Sequence, residues 1–155
     1  MTKKPDFDSF AAHKYFAADC FNQTWDYIDK PDRTKNDEDT MLRLSMASLW
    51  HWTQREDYTP TNLSIGYWQV SRVFSLLRQV DNARHYGELC LEASQKEGVL
   101  PFYLGYAYEA LARAELVAGD TDKMEGYLNQ AQKVAAAIPD QGSKQQLLTD
   151  LATIS

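Results

Sequence analysis

The sequence has no uninterrupted apolar run of about 18 residues, so no segment reads as a transmembrane helix. It also lacks an apolar stretch behind its first lysines. "MTKKPDFDSF" turns to Pro5, Asp6 and Asp8 where a signal peptide needs its hydrophobic region, and none is expected. Cysteine is scarce. Cys20 and Cys90 lie far apart, each inside an apolar helical pattern, which suits buried reduced thiols better than a secreted disulfide framework and makes a cytoplasmic location the expectation. Positive charge is in deficit, with 16 Lys and Arg against 22 Asp and Glu for a net charge of −6, and no stretch gathers the basic residues on one face. Phosphate backbones and anionic lipid would be repelled, so neither nucleic acid nor a membrane is an expected partner. Catalytic motifs are missing as well: no H-x-x-x-H, C-x-x-C, H-E-x-x-H or G-x-S-x-G occurs, and no phosphate-cradling glycine loop or dinucleotide fingerprint. The expectation is a protein that is not an enzyme and carries no cofactor or metal.

What is present reads as helix. No segment alternates apolar and polar residues in the manner of a strand, and 155 residues suffice for one all-α domain with a core that needs no staple. The five prolines, Pro5, Pro31, Pro60, Pro101 and Pro139, punctuate the helices, because proline is tolerated in a first turn and breaks a helix from within. A first helix is expected over Asp6 to Asp29, with Phe7, Phe10, Ala17, Phe21, Trp25 and Ile28 as its apolar stripe. The second, preceded by acidic Asp37, Glu38 and Asp39, carries Leu42, Met46, Leu49 and Thr53. Thr59 caps the third, with Pro60 in its first turn. The fourth runs from near Asp81 to Gly98, the fifth from Pro101 to Gly119, and the sixth ends at Pro139. Ser143 and Gln146 form a capping-box pattern for a seventh, with Leu147, Leu148, Leu151 and Ile154 facing inward.

Shifting the chain by 41 positions sets Tyr67 on Tyr108, Val70 on Leu111, Ser71 on Ala112, Arg72 on Arg113, Ala83 on Met124 and Cys90 on Ala131. Each unit is a helix with a small residue near its middle, a short turn and a second helix facing back. On Leu111, Ala112, Gly119, Leu128 and Ala131, and on Val70, Ser71, Phe74, Ala83 and Cys90, the sequence resembles the tetratricopeptide repeat (TPR) family, whose helical hairpins recur about every 34 residues. The spacing is longer here, Arg78 stands where the turn glycine belongs and Glu115 where an aromatic does. "CFNQTWDYIDKPDRT" with "MASLWHW" is also similar to small bacterial TPR-like proteins without an assigned activity. The resemblance implies one TPR-like domain over residues 1–155, stacked as a right-handed superhelix of about seven helices: a divergent helix pair over 1–56, two hairpins over 61–138 and a capping helix over 143–154.

The function this implies is binding a protein or peptide in an aromatic and arginine-lined groove of the second, third and fifth helices, with His13, Trp50, His51, Tyr67, Trp68, Arg72, Tyr106, Glu109 and Arg113 as its candidate residues. Tyrosine and tryptophan join an apolar body to a polar tip, and a guanidinium can grip a carboxylate through two parallel bonds. Against this, Arg72 and Arg113 could be structural arginines between hairpins, Glu109 could pair with Arg113 four residues on, and His51, between Trp50 and Trp52, could be a packed histidine bonded inside the bundle. An alternative from another class is a metal-dependent or acid/base enzyme on His13, His51 and Glu109. A third is a sensor of a small ligand or peptide signal in the same pocket. Self-association as a homodimer through an exposed repeat end is compatible with each.

Overall fold

The computed structural model describes residues 2–155, in which seven helices and no strand occur. No helix is long and apolar enough to cross a membrane among the described residues. The chain divides between Tyr58 and Thr59 into two compact units.

The first unit is a hairpin of α1 (Ser9–Ile28) and α2 (Lys35–Thr53). α1 starts at Ser9 and not at Asp6, because the Asp8 carboxylate accepts the Ala11 amide at 3.1 Å and fixes the cap there. At α2 the capping is reciprocal: Thr34 Oγ1 accepts the Asp37 amide and Asp37 accepts that of Thr34, at 3.1 and 2.9 Å. Lys30 donates to the same Asp37 carboxylate at 2.7 Å. The ammonium, with the Thr34 amide, holds that carboxyl down at about 2, well below the usual range. Arg33 closes the other side of the turn by donating to the carbonyls of Tyr27, Ile28 and Lys30, the first two in the last turn of α1. Lys30–Asp37 at the turn and Ser48–Ala17 deeper in the hairpin run in opposite order along the two helices, which are therefore antiparallel.

The seam between these helices differs from the expected stripes. Phe7 and Phe10 are exposed, as is Met46, while Ala17, Cys20 and Thr24 of α1 and Met41, Ser45, Ser48 and Leu49 of α2 are buried. Hydropathy alone undervalues serine and threonine at such a seam. Their hydroxyls stay satisfied by bonding carbonyls, Thr24 to Cys20, Ser45 to Leu42 and Ser48 across to Ala17, at 2.8, 2.9 and 2.8 Å, and their small volume lets the helices close up.

The second unit contains α3 (Pro60–Leu76), α4 (Val80–Ser94), α5 (Pro101–Ala118), α6 (Thr121–Ala136) and α7 (Gln141–Leu151). The 41-residue period seen in the sequence is reproduced in three dimensions. Pro60 and Pro101 both open their helices, and α4 and α6 both begin 41 residues apart, at Val80 and Thr121. Arg78 and Gly119 are both left-handed, with φ of 59° and 76°. Each is followed by the same six-to-one bond that ends a helix in a Schellman motif, Gln79 to Phe74 at 2.9 Å and Asp120 to Glu115 at 3.0 Å. Tyr67 meets Tyr86 with ring centroids 6.3 Å apart, and their equivalents Tyr108 and Tyr127 meet at 6.4 Å.

Small residues set how closely these helices pack. Ala83 and Cys90 of α4 and Ala131 of α6, the equivalent of Cys90, are fully buried, while Met124, equivalent to Ala83, keeps only a trace of exposure. A methyl group at Gly87 would come within 2.8 Å of the Leu111 side chain, and one at Gly105 would collide with Leu147. α7 lays Leu147 and Leu151 on a cluster that includes Tyr106, Met124, Ala131 and Ile138, closing the apolar end of the second hairpin. Its cap is Asp140 and not the expected Ser143. The Asp140 carboxylate accepts both the amide and the hydroxyl of Ser143, at 2.8 and 2.7 Å, leaving Ser143 inside the first turn.

Candidate functional site

Within the first unit the structure brings together His13, Trp50 and His51, and within the second Trp68, Tyr106, Glu109 and Arg113. In the first unit, α1 supplies His13 and the end of α2 supplies Trp50 and His51. The Nδ1 atoms of His13 and His51 are 2.8 Å apart. Their ring centroids are 5.0 Å apart, so the two nitrogens are the near points of rings that face each other through them. Such a bond needs opposite tautomers: one ring donates from Nδ1–H, and the other accepts at Nδ1 and carries its proton on Nε2. Both rings are half-buried. Burial, and then the neighbouring His13, push the His51 imidazole below its ordinary value.

Aromatic rings surround the pair. The Trp50 centroid lies 4.9 Å from His51 and 5.3 Å from His13, Phe16 lies 5.5 Å from His51, and Tyr15 meets Phe16 edge-on at 5.2 Å. Tyr15, Phe16 and Trp50 are 62%, 44% and 54% exposed, so these five rings form one contiguous surface open to solvent. Tyr15 and Phe16 were absent from the sequence-based candidates. The signal was available: Phe16 lies three residues beyond His13, on the same helical face. Trp52, by contrast, turns to Arg55, whose guanidinium lies 4.1 Å from its ring centroid and binds Asp57 through two bonds of 2.8 and 2.7 Å.

In the second unit, Trp68, Tyr106, Glu109 and Arg113 come together with Asp150 and Thr153. Trp68 Nε1 donates to Glu109 Oε2 at 2.8 Å, and Arg113 Nε donates to Glu109 Oε1. Arg113 also reaches Thr153 Oγ1 at 2.8 Å and the Asp150 carbonyl at 3.3 Å. Tyr106 donates its hydroxyl to the Asp150 carboxylate, and the Trp68 and Tyr106 rings meet edge-to-face at 5.7 Å. Burial and then Asp150 raise the Tyr106 phenol above its ordinary range. The Glu109 and Arg113 side chains are thus engaged with each other and with neighbours, as the structural reading of this pair expects. Arg72 is half-buried at the equivalent position of α3, and Tyr67 packs against Tyr86.

Glu115 has a similar explanation. Where the α3–α4 hairpin stacks Phe74 on Tyr86 at 5.6 Å, the α5–α6 hairpin buries Glu115 against Arg84 of α4 in a two-bond pair of 2.7 and 2.8 Å. His85 is exposed. Cys20 and Cys90 are both buried and form no disulfide. Burial pushes the Cys90 thiol up to about 12, which keeps it protonated and without nucleophilic character at neutral pH. Among the described residues no three His, Cys, Asp or Glu side chains converge as metal ligands. An open cleft of about 450 Å³ lies at the α5–α6 turn between Arg84, Gly119 and Asp122, and none of the sequence-based candidates lines it.

No family model, curated protein or solved structure matches the chain.

Proposed function

We propose that this protein is a non-catalytic, TPR-like helical-repeat module that works in the cytoplasm and binds a protein or peptide partner. The observation that carries the reading is the contiguous aromatic surface of Tyr15, Phe16, Trp50 and the two histidines on the first hairpin. Exposed Tyr and Trp are the side chains that most often dominate a protein interface, because they contribute a large apolar area at low conformational cost. The repeated hairpins of the second unit support it in kind, since such arrays present extended surfaces to other chains. The engagement of Glu109 by Trp68 and Arg113 counts against an acid/base role for that carboxylate.

The proposed contact lies on the first hairpin and not in a groove of the second, third and fifth helices. Trp68, Glu109 and Arg113 serve the fold of the second unit, while Trp50 and Phe16 are exposed without a structural task of comparable weight. A peptide selected from a displayed library against the wild-type protein provides the test. Trp50→Ala should weaken its binding by about 2 kcal/mol, roughly thirtyfold in Kd, and leave the melting temperature nearly unchanged. Binding that survives both Trp50→Ala and Phe16→Ala would remove the aromatic surface from the account.

A further inference from the structure

The hydrogen bond between His13 and His51 joins the two helices of the first hairpin near its open end, opposite the connection at residues 29–34. It exists only while one Nδ1 is a lone pair. With one proton on the pair the bond is charge-assisted; with two, both nitrogens are donors and two cations face each other at 2.8 Å. Neutral and singly protonated pairs therefore hold the helices together, and the doubly protonated pair drives them apart.

We propose that the His13–His51 bond is a proton-sensitive latch, which keeps the first half of α1 closed on the end of α2 near neutral pH and releases it when both rings are protonated.

The surroundings give the second proton little relief. Lys14 follows His13 on α1, and its charge acts on Asp57. Beyond α2 stand Arg55, Glu56 and Asp57, with Arg55 and Asp57 bonded to each other. The charge that falls on His51 is that of His13. One influence opposes opening: His51 lies in the last turn of α2, where the carbonyl end of the helix favours a cation. Burial and the facing histidine act the other way, and the His51 imidazole is lowered in sum. An imidazole held below its unfolded value means that the unfolded chain binds more protons. The stabilisation is then complete above about pH 6.5 and is lost as the pH falls below it. Opening would also split the aromatic surface, since Phe16 and Tyr15 belong to α1 and Trp50 to α2.

The test is made on the intact protein without any partner. Nitrogen-15 NMR of the imidazoles should show His13 and His51 in opposite tautomers at pH 7.5, with titration in two coupled steps, the lower clearly below the ordinary histidine value. Hydrogen-exchange protection at residues 9–16, corrected for intrinsic rates, should fall about tenfold between roughly pH 7.5 and 5 while that of α5 holds. In His13→Gln, and independently in His51→Gln, the remaining histidine should titrate as a single group and the pH dependence of residues 9–16 should vanish. Two independent titrations at the ordinary value, or protection that falls equally in the variants and the wild type, would overturn the latch.

Discussion

Glu109 shows how a residue can look functional while its chemistry is spent on the fold. The residue is 1% exposed and accepts from Trp68 on α3 and from Arg113 on its own helix. A carboxylate in such a place is tolerated because its partners replace the water it has lost, and removing it leaves a half-buried guanidinium without its counterion. Glu109→Ala should therefore cost about 3–5 kcal/mol of stability, read from urea unfolding, and Glu109→Gln should cost less because the Trp68 bond can survive. A loss below about 1 kcal/mol in the alanine variant would show that the network is dispensable. Part of this was legible in the sequence, where Glu109 and Arg113 stand one helical turn apart. The rest was not, since Asp150 approaches from α7 and Thr153 from just beyond its end, and only the fold brings that hydroxyl to Arg113.

At the scale of the helix and its ends, Arg78 is the informative departure. Its φ of 59° places a side chain with a Cβ in the left-handed region that Gly119 occupies in the equivalent turn. Arg78→Gly relieves that cost and gives back part of it as unfolded-state entropy, for a net gain of about 0.5–1 kcal/mol, or roughly 1–4 °C in Tm. Gly119→Ala should lose about as much or more. An Arg78→Gly variant that melts lower than wild type would mean that the arginine side chain does more than occupy the turn. Helix existence and order were readable here because proline and glycine stand at the turns and capping hydroxyls or carboxylates at most helix starts. Which face turns inward was less readable: on α1 and α2 the seam follows Ala17, Thr24, Ser45 and Ser48, whose fit depends on volume and hydroxyl bonding rather than hydropathy.

Over the whole molecule, the period of 41 residues was the strongest statement the sequence made, and the second unit keeps it down to the pairing of Tyr67 with Tyr86 and Tyr108 with Tyr127. A period is legible because it repeats. A binding surface occurs once, and its residues sit on helices whose mutual rotation hydropathy does not fix, so His13, Trp50 and His51 were named while Tyr15 and Phe16 beside them were passed over. On the proposed function, a partner docks on the aromatic surface of the first hairpin. The most direct test is a titration of nitrogen-15-labelled protein with a library-selected peptide, following every backbone amide. The predicted result is that the largest shifts fall on residues 13–16 and 50–51, with little change along α5 and α7. Shifts confined to α3–α7, with residues 13–16 and 50–51 unmoved, would contradict it.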